Sequence, residues 1–358
     1  MIFKQLYFTK RKILRIIIVL IAGTFLWIVS IINQSYISDY HDAVSVRFHE
    51  PEITKQRIDS ILEAMILRED NHIPEITLWQ RDEHIDITNE REDKSIEISL
   101  ITVAGDMSRI YPVPLVGGGY LSEEDNFGCV IDKATAYKLF GSFDVVGIKI
   151  NYDKKEYIIR GIIEEVGSNV VIIQEETSSY KSIDAKKYSC MELSYTDTEN
   201  AKLLAEGIVL TNGIGTPVKI IDGYQNQKLS YMLIHIPLWL AALMIIIHTA
   251  RKVYSLRASL IFTLIGGIGT VILCVVLVKV TNMYLYFPSS MIPNRWSDFD
   301  FWAEKLKEIV SAISKKEGTV LYFKDIMLRN RMLKVIIGVA ATVICQLYLM
   351  VTGTVKKV

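Results

Sequence analysis

The chain has 358 residues, 50% of them hydrophobic and 22% charged, with 40 basic against 40 acidic side chains. A mean hydropathy of +0.27 is too high for a soluble chain this charged unless the apolar residues are bunched; they are, which excludes a simple soluble enzyme. Four cysteines without C-x-x-C spacing exclude a disulfide scaffold and a zinc site of the usual pattern.

Charge divides the chain. Residues 33–230 hold 34 acidic and 20 basic side chains, leaving 6 acidic and 20 basic for the rest. The acidic block argues against nucleic acid as partner, because phosphate would be repelled. The basic remainder flanks apolar runs and reads as membrane anchoring.

Residues 1–15 form a basic segment with Lys10, Arg11 and Lys12, followed by an uncharged run over 16–32. That run is about long enough to cross a bilayer, and no A-x-A cleavage pattern follows it, so it reads as an uncleaved signal anchor. Further spans are expected over 232–250, 258–279 and 335–353, with Pro237 near the outer end of the second. A link over 251–257 carries Arg251, Lys252, Tyr254 and Arg257, and a short tail covers 354–358. Four spans place both termini and the link in the cytoplasm and the block 33–230 outside. The positive-inside rule agrees except for Lys324, Arg329, Arg331 and Lys334, which fall in the outer loop 281–334.

Within the outer block, Ser35 to Val44 reads as a polar stalk continuing the first helix. Ile58, Ile61, Leu62, Met65 and Ile66 mark a helical face over Ile53 to Leu67. Strands are expected at Ile76 to Trp79, Ile96 to Val103, Val130 to Ile131 and Tyr188 to Tyr195. A hairpin is expected to turn at Asp153-Lys154-Lys155, with helices over Ala134 to Phe140 and Thr198 to Ile208, the latter capped by Thr196 or Asp197. The expected class is therefore a four-helix membrane protein with an inserted α+β domain of small split β-α-β layers. In the loop 281–334, Ser297 and Gly318 bracket a helical pattern that puts Phe299, Trp302, Leu306, Ile309, Val310 and Ile313 on one face, amphipathic and suited equally to a membrane surface and to packing against the outer domain.

Gly118-Gly-Tyr-Leu-Ser-Glu-Glu-Asp125, Cys129-Val-Ile-Asp132, Ala136-Tyr-Lys-Leu-Phe-Gly141, Gly147-Ile-Lys-Ile150 and Tyr157-Ile-Ile-Arg-Gly-Ile162 together resemble the extracytoplasmic core of MacB/FtsX-like ABC transporter permeases. The pattern departs from that family at Gly119, where the family has Arg, and at Val145, where it has Pro. The resemblance implies a bacterial plasma-membrane permease subunit, working as a homodimer or beside a related permease. It also implies a separate ABC ATPase, contacted through Lys10, Arg11, Lys12, Arg251, Lys252, Tyr254 and Arg257. Ordinary cytoplasmic anchoring explains those charges equally well.

No G-x-x-x-x-G-K-[ST] is present, so this chain carries no P-loop; no cofactor is expected, and ATP would be bound by the other subunit. Nor is there G-x-S-x-G or H-E-x-x-H, so no enzymatic activity is expected. Cys129 and Cys190 lie in the exported block, as a disulfide or as two buried thiols. Three functions follow in decreasing order: a mechanical transmitter driven by an ATPase; a scaffold or sensor whose outer domain binds a peptide, lipid or envelope partner; and a hydrolase resting on Glu123, Glu124 and Asp125.

Overall fold

The structure is a computed structural model, which describes residues 2–89, 94–111, 114–164, 169–175, 186–255, 260–280, 286, 292–293, 295, 298, 300–314 and 322–354. Two units compose it: one of residues 1–40, 225–318 and 327–358, the other of residues 41–224 and 319–326.

The second unit is built on one ten-stranded sheet. In chain order its strands and helices are β1 (Ala43–Arg47), β2 (Ile53–Thr54), α2 (Lys55–Leu67), β3 (Glu75–Asn89), β4 (Lys94–Ala104), β5 (Leu115–Gly118), β6 (Gly128–Asp132), α3 (Lys133–Phe140), β7 (Lys149–Tyr152), β8 (Lys155–Ile163), β9 (Val170–Gln174), β10 (Lys187–Tyr188), β11 (Cys190–Ser194), α4 (Ala201–Thr211) and β12 (Lys219–Asp222). β2 and β10 form a separate small pair. The sheet runs β12-β1-β11-β3-β4-β9-β6-β8-β5, and β7 pairs with both β8 and β3. That last pairing closes β3, β4, β9, β6, β8 and β7 into a ring, so six strands form a small barrel and the rest extend from it. The expected separate β-α-β layers are thus corrected: the strands join one continuous sheet.

Alternation along the strands divides the core. Ile98, Leu100, Cys129, Ile131, Tyr157, Ile159, Val171 and Ile173 form one cluster with Ala136 and Leu139 of α3. Val44, Val46, Ile76, Leu78, Met191 and Leu193 face α2 and α4 in another. α3 starts where the Asp132 carboxylate accepts from Thr135 N at 3.0 Å and ends at Gly141, left-handed at φ +66. Asp132 Oδ1 also accepts from Val170 N at 3.1 Å, tying α3 and β6 to β9. The resembling motif therefore holds this part of the fold together. Gly118 and Gly161 serve close approach: a Cβ on Gly161 would meet Gly119 O at 2.2 Å.

The sequence reading of α2, α3 and the β7–β8 hairpin holds to within about two residues, and the hairpin turns through Asp153 and Lys154 at positive φ. Four strands of the main sheet (β1, β5, β9 and β12) went unread, β2 was read as the start of α2, and β3 is far longer than expected. The stalk ends early, because the first helix stops at Ser38 and β1 begins five residues later. α4 also starts later than expected, at Ala201, with the Asp197 carboxylate accepting from Asn200.

The first unit contains α1 (Ile2–Ser38), α5 (Gly223–Ser255), α6 (Leu260–Val280), α7 (Phe301–Ser314) and α8 (Phe323–Thr354), although the first two residues of α5 and four of α8 belong to the sheet unit. Among the described residues three helices are long and apolar enough to cross a membrane: Ile13–Ser38, Gly223–Tyr254 and Phe323–Val351. In α6 the stretch Leu264–Val276 is a shorter apolar helix, and residues 258–259 of the expected third span lie outside the described residues. Pro237 sits inside α5, where a proline disturbs the carbonyls of its own helix. Nearby carbonyls find partners on other helices: Trp27 Nε1 donates to Ile234 O at 2.8 Å and Gln346 Nε2 to Pro237 O at 3.0 Å. Gly338 lets α8 approach α1, since a Cβ there would meet Ser30 Oγ at 2.2 Å.

α8 begins twelve residues before the expected fourth span. The basic residues that strain the positive-inside rule are therefore helical and partly consumed by packing. Arg331 donates to Asn33 Oδ1 at 3.1 Å and lies 4.2 Å from the Tyr36 ring centroid.

Candidate functional site

β1 and β11 lie side by side, with Ser45 opposite Glu192 and Arg47 opposite Cys190. Their sequences alternate Val44-Ser-Val-Arg47 and Cys190-Met-Glu-Leu193, so the valines, Met191 and Leu193 face the helices. Ser45, Arg47, Cys190 and Glu192 take the other face. Against that second face, within the same unit, lies the first turn of α8 with Tyr322 before it.

Four charges meet there, each nearly inaccessible. Arg47 Nη1 binds Glu192 Oε1 at 2.7 Å. Its Nη2 and Nε reach the two oxygens of Asp325 at 2.9 and 3.3 Å, a two-point grip. Lys324 Nζ binds Glu192 Oε2 at 2.7 Å and donates to Arg109 O at 2.9 Å. Ser45 Oγ and Trp79 Nε1 also donate to Glu192, the latter at 3.2 Å. Trp79 and Tyr322 meet edge-on at 4.6 Å, and the Arg47 guanidinium lies 5.1 and 5.4 Å from their ring centroids. Tyr111 stacks on Phe323 at 5.1 Å.

Burial would push the Glu192 carboxyl up, but Arg47 and then Lys324 outweigh it and hold it down, at about 2. Burial likewise opposes the Arg47 charge, while Glu192 and Asp325 raise its pKa on balance. Two cations and two anions cancel, which is how charge persists inside a protein. Glu192, held as an anion by two cations, is too weak a base to activate Ser45 Oγ; the cluster holds the start of α8 in one register against β1 and β11. Beside it opens a cleft of about 300 Å³ whose polar lining includes Glu75, Asp106, Arg109 and Glu123.

Sequence reasoning missed Arg47, Glu192 and Asp325, and met Lys324 only as a charge on the wrong side. A signal existed. Ser45, Arg47 and Glu192 stand at alternating positions in strands whose other faces are fully apolar, and a lysine in a helix's first turn opposes the helix dipole.

The expected coupling residues are placed only in part. The side chains of Lys10, Arg11 and Lys12, on α1, and all of Arg257 lie outside the described residues. Arg251, Lys252 and Tyr254 share the exposed end of α5. Cys129 and Cys190 do not pair: both are free thiols, buried in different clusters. Burial raises both thiols, Cys190 to about 11. The acidic run 123–125 is dispersed, with Asp125 bound to Arg160 at 2.8 Å and Glu123 lining the cleft. In the loop before α8, a helix does form at Phe301–Ser314, while its expected caps Ser297 and Gly318 lie outside the described residues.

Residues 16–209 match the family described as the MacB-like periplasmic core domain, more than half of the chain. The chain belongs to that family: a membrane protein with an α/β extracytoplasmic domain of the MacB type. Among solved structures, the periplasmic region of MacB from Actinobacillus actinomycetemcomitans is similar at 15% identity and a TM-score of 0.40, covering 51% of this chain and 88% of that one. The extracellular domain of the ABC-type transporter YknZ from Gram-positive bacteria is similar at 13% identity and a TM-score of 0.36, covering 48% and 94%. A domain of a permease protein from Porphyromonas gingivalis is similar at 14% and 0.36, covering 48% and 85%. No functionally curated relative matches the sequence.

Proposed function

We propose that the chain is the permease-type subunit of an ABC-transporter-like complex in a bacterial plasma membrane, transmitting movement driven by a separate ATPase to its extracytoplasmic domain. Family membership supports the permease class. The observation that carries the transmitting role is how the membrane-length helices join the sheet. α1 is followed after four residues by β1; β12 runs into α5 with no intervening residue; and the first turn of α8 is held by Arg47 and Glu192. β12, β1 and β11 are consecutive neighbours in the sheet, so all three helices connect to one end of its strand order. Flexible linkers would absorb displacement, and the α1–β1 and β12–α5 junctions contain almost none.

In this reading α6 completes four spans, and both termini face the cytoplasm together with the link between α5 and α6. A second copy or a related permease completes the membrane unit. The ATPase docks on Lys10, Arg11, Lys12, Arg251, Lys252, Tyr254 and Arg257. Purification of the tagged chain from its native membrane tests this: an ATPase should co-elute and be lost when Arg251, Lys252 and Arg257 are changed to Glu. If no ATPase appears under conditions that preserve known complexes, the transmitter loses its engine, and binding by the outer domain becomes the function to pursue.

A further inference from the structure

α7 presents an apolar face without a protein partner where its side chains are described. Trp302 is 50% exposed and Leu306 63%, and both belong to the helical unit. In the sequence pattern, at 100° per residue, Ile309, Val310 and Ile313 continue the arc that Trp302 and Leu306 begin. Glu304 and Lys307 fall on the opposite side. Lys305 borders the arc, where its alkyl stem can cover apolar surface while the ammonium reaches outward.

What covers this face follows from its neighbours in the chain. α7 stands between α6 and α8, whose own exposed residues include Leu264, Ile268, Ile272, Ile336, Ile337 and Ile344. Such surfaces are covered by lipid in a membrane protein. An arc of bulky apolar residues, with an indole at one end and a lysine on its border, fits the boundary between acyl chains and headgroups. Indoles concentrate there, and lysine can reach the phosphates.

We propose that α7 lies in the plane of the bilayer surface, its apolar arc in the acyl boundary and Trp302 at headgroup level. α7 would then be a floating brace between two membrane helices rather than a part of the extracytoplasmic domain. The inference requires a membrane-embedded chain but no ATPase, so it and the proposed function fail separately.

The full chain, reconstituted in phosphatidylethanolamine–phosphatidylglycerol vesicles, tests it through tryptophan emission. Subtracting the spectrum of a Trp302→Phe variant isolates the Trp302 component. Lipid bromine placed near the headgroup should quench that component roughly two-fold or more, and bromine deep in the chain should quench it less. Leu306→Ser should weaken this quenching while the rest of the emission stays unchanged. A Trp302 component untouched by brominated lipid at either depth overturns the proposal, whether water, the outer domain or a second copy covers the face. Stronger quenching by deep bromine also overturns it, because the helix would then be inserted rather than surface-lying.

Discussion

Glu192 accepts from Arg47, Lys324, Ser45 and Trp79 at once, which makes it the residue on which the buried network depends. Changing it to Gln keeps the shape but leaves two buried cations facing one anion. Breaking a buried ion pair this way costs roughly 3–5 kcal/mol. The unfolding midpoint of the purified chain, followed by its tryptophan emission, should fall accordingly. The pH dependence has a defined sign. The folded-state pKa of about 2 lies below the ordinary 4.5, so the stability from the ionised carboxylate is complete above 4.5. It is lost as pH falls from 4.5 towards 2, while Arg47, whose pKa is raised, stays charged throughout. The gap between wild type and Glu192→Gln should therefore close over that interval. A gap that stays constant down to pH 2 would mean that Glu192 is not held as an anion.

Strands decide the fate of the cysteines. β6 is buried throughout and β11 in all but its last residue, yet Cys129 joins the cluster with α3 while Cys190 joins the one with Trp79 and Tyr322. No side-chain rotation brings them together, and burial keeps both thiols protonated. Under non-reducing conditions the chain should run as the reduced form does, and both thiols should accept maleimide only after denaturation. A mobility shift removed by Cys129→Ser would contradict this arrangement. The same scale explains what could be read beforehand. α3 was legible because its cap at Asp132 and its stop at Gly141 are local, and so was the β7–β8 turn. β1 was not, because Ala43–Arg47 follows a polar helix end and gains strand character from Leu193 and Ile221, which lie far along the chain. Val170–Ile173 is a continuous apolar run without alternation, buried on both faces, and carries no period to read. The charged centre of β3, Arg81 to His84, hides a strand because it contains a bulge with His84 at positive φ.

The whole molecule combines a sheet with two membrane-length helices, α1 and α5, that join its strands almost without linkers, and a third, α8, whose first turn is gripped by β1 and β11. The helices and the family pattern were legible from apolar runs and from the motif between Gly118 and Ile162. The buried grip on α8 was not, since it joins residues 47, 192, 324 and 325, which only the folded chain brings together. If that connectivity transmits motion, nucleotide turnover should be felt in the strands next to the helices. Hydrogen exchange on the complex purified from its native membrane, with and without ATP, measures this most directly. Peptides covering Ala43–Arg47, Cys190–Ser194 and Lys219–Asp222 should change their exchange with nucleotide, and charge reversal at Arg251 and Lys252 should abolish the change. Identical exchange in those strands while the bound ATPase turns over would contradict the transmitter account.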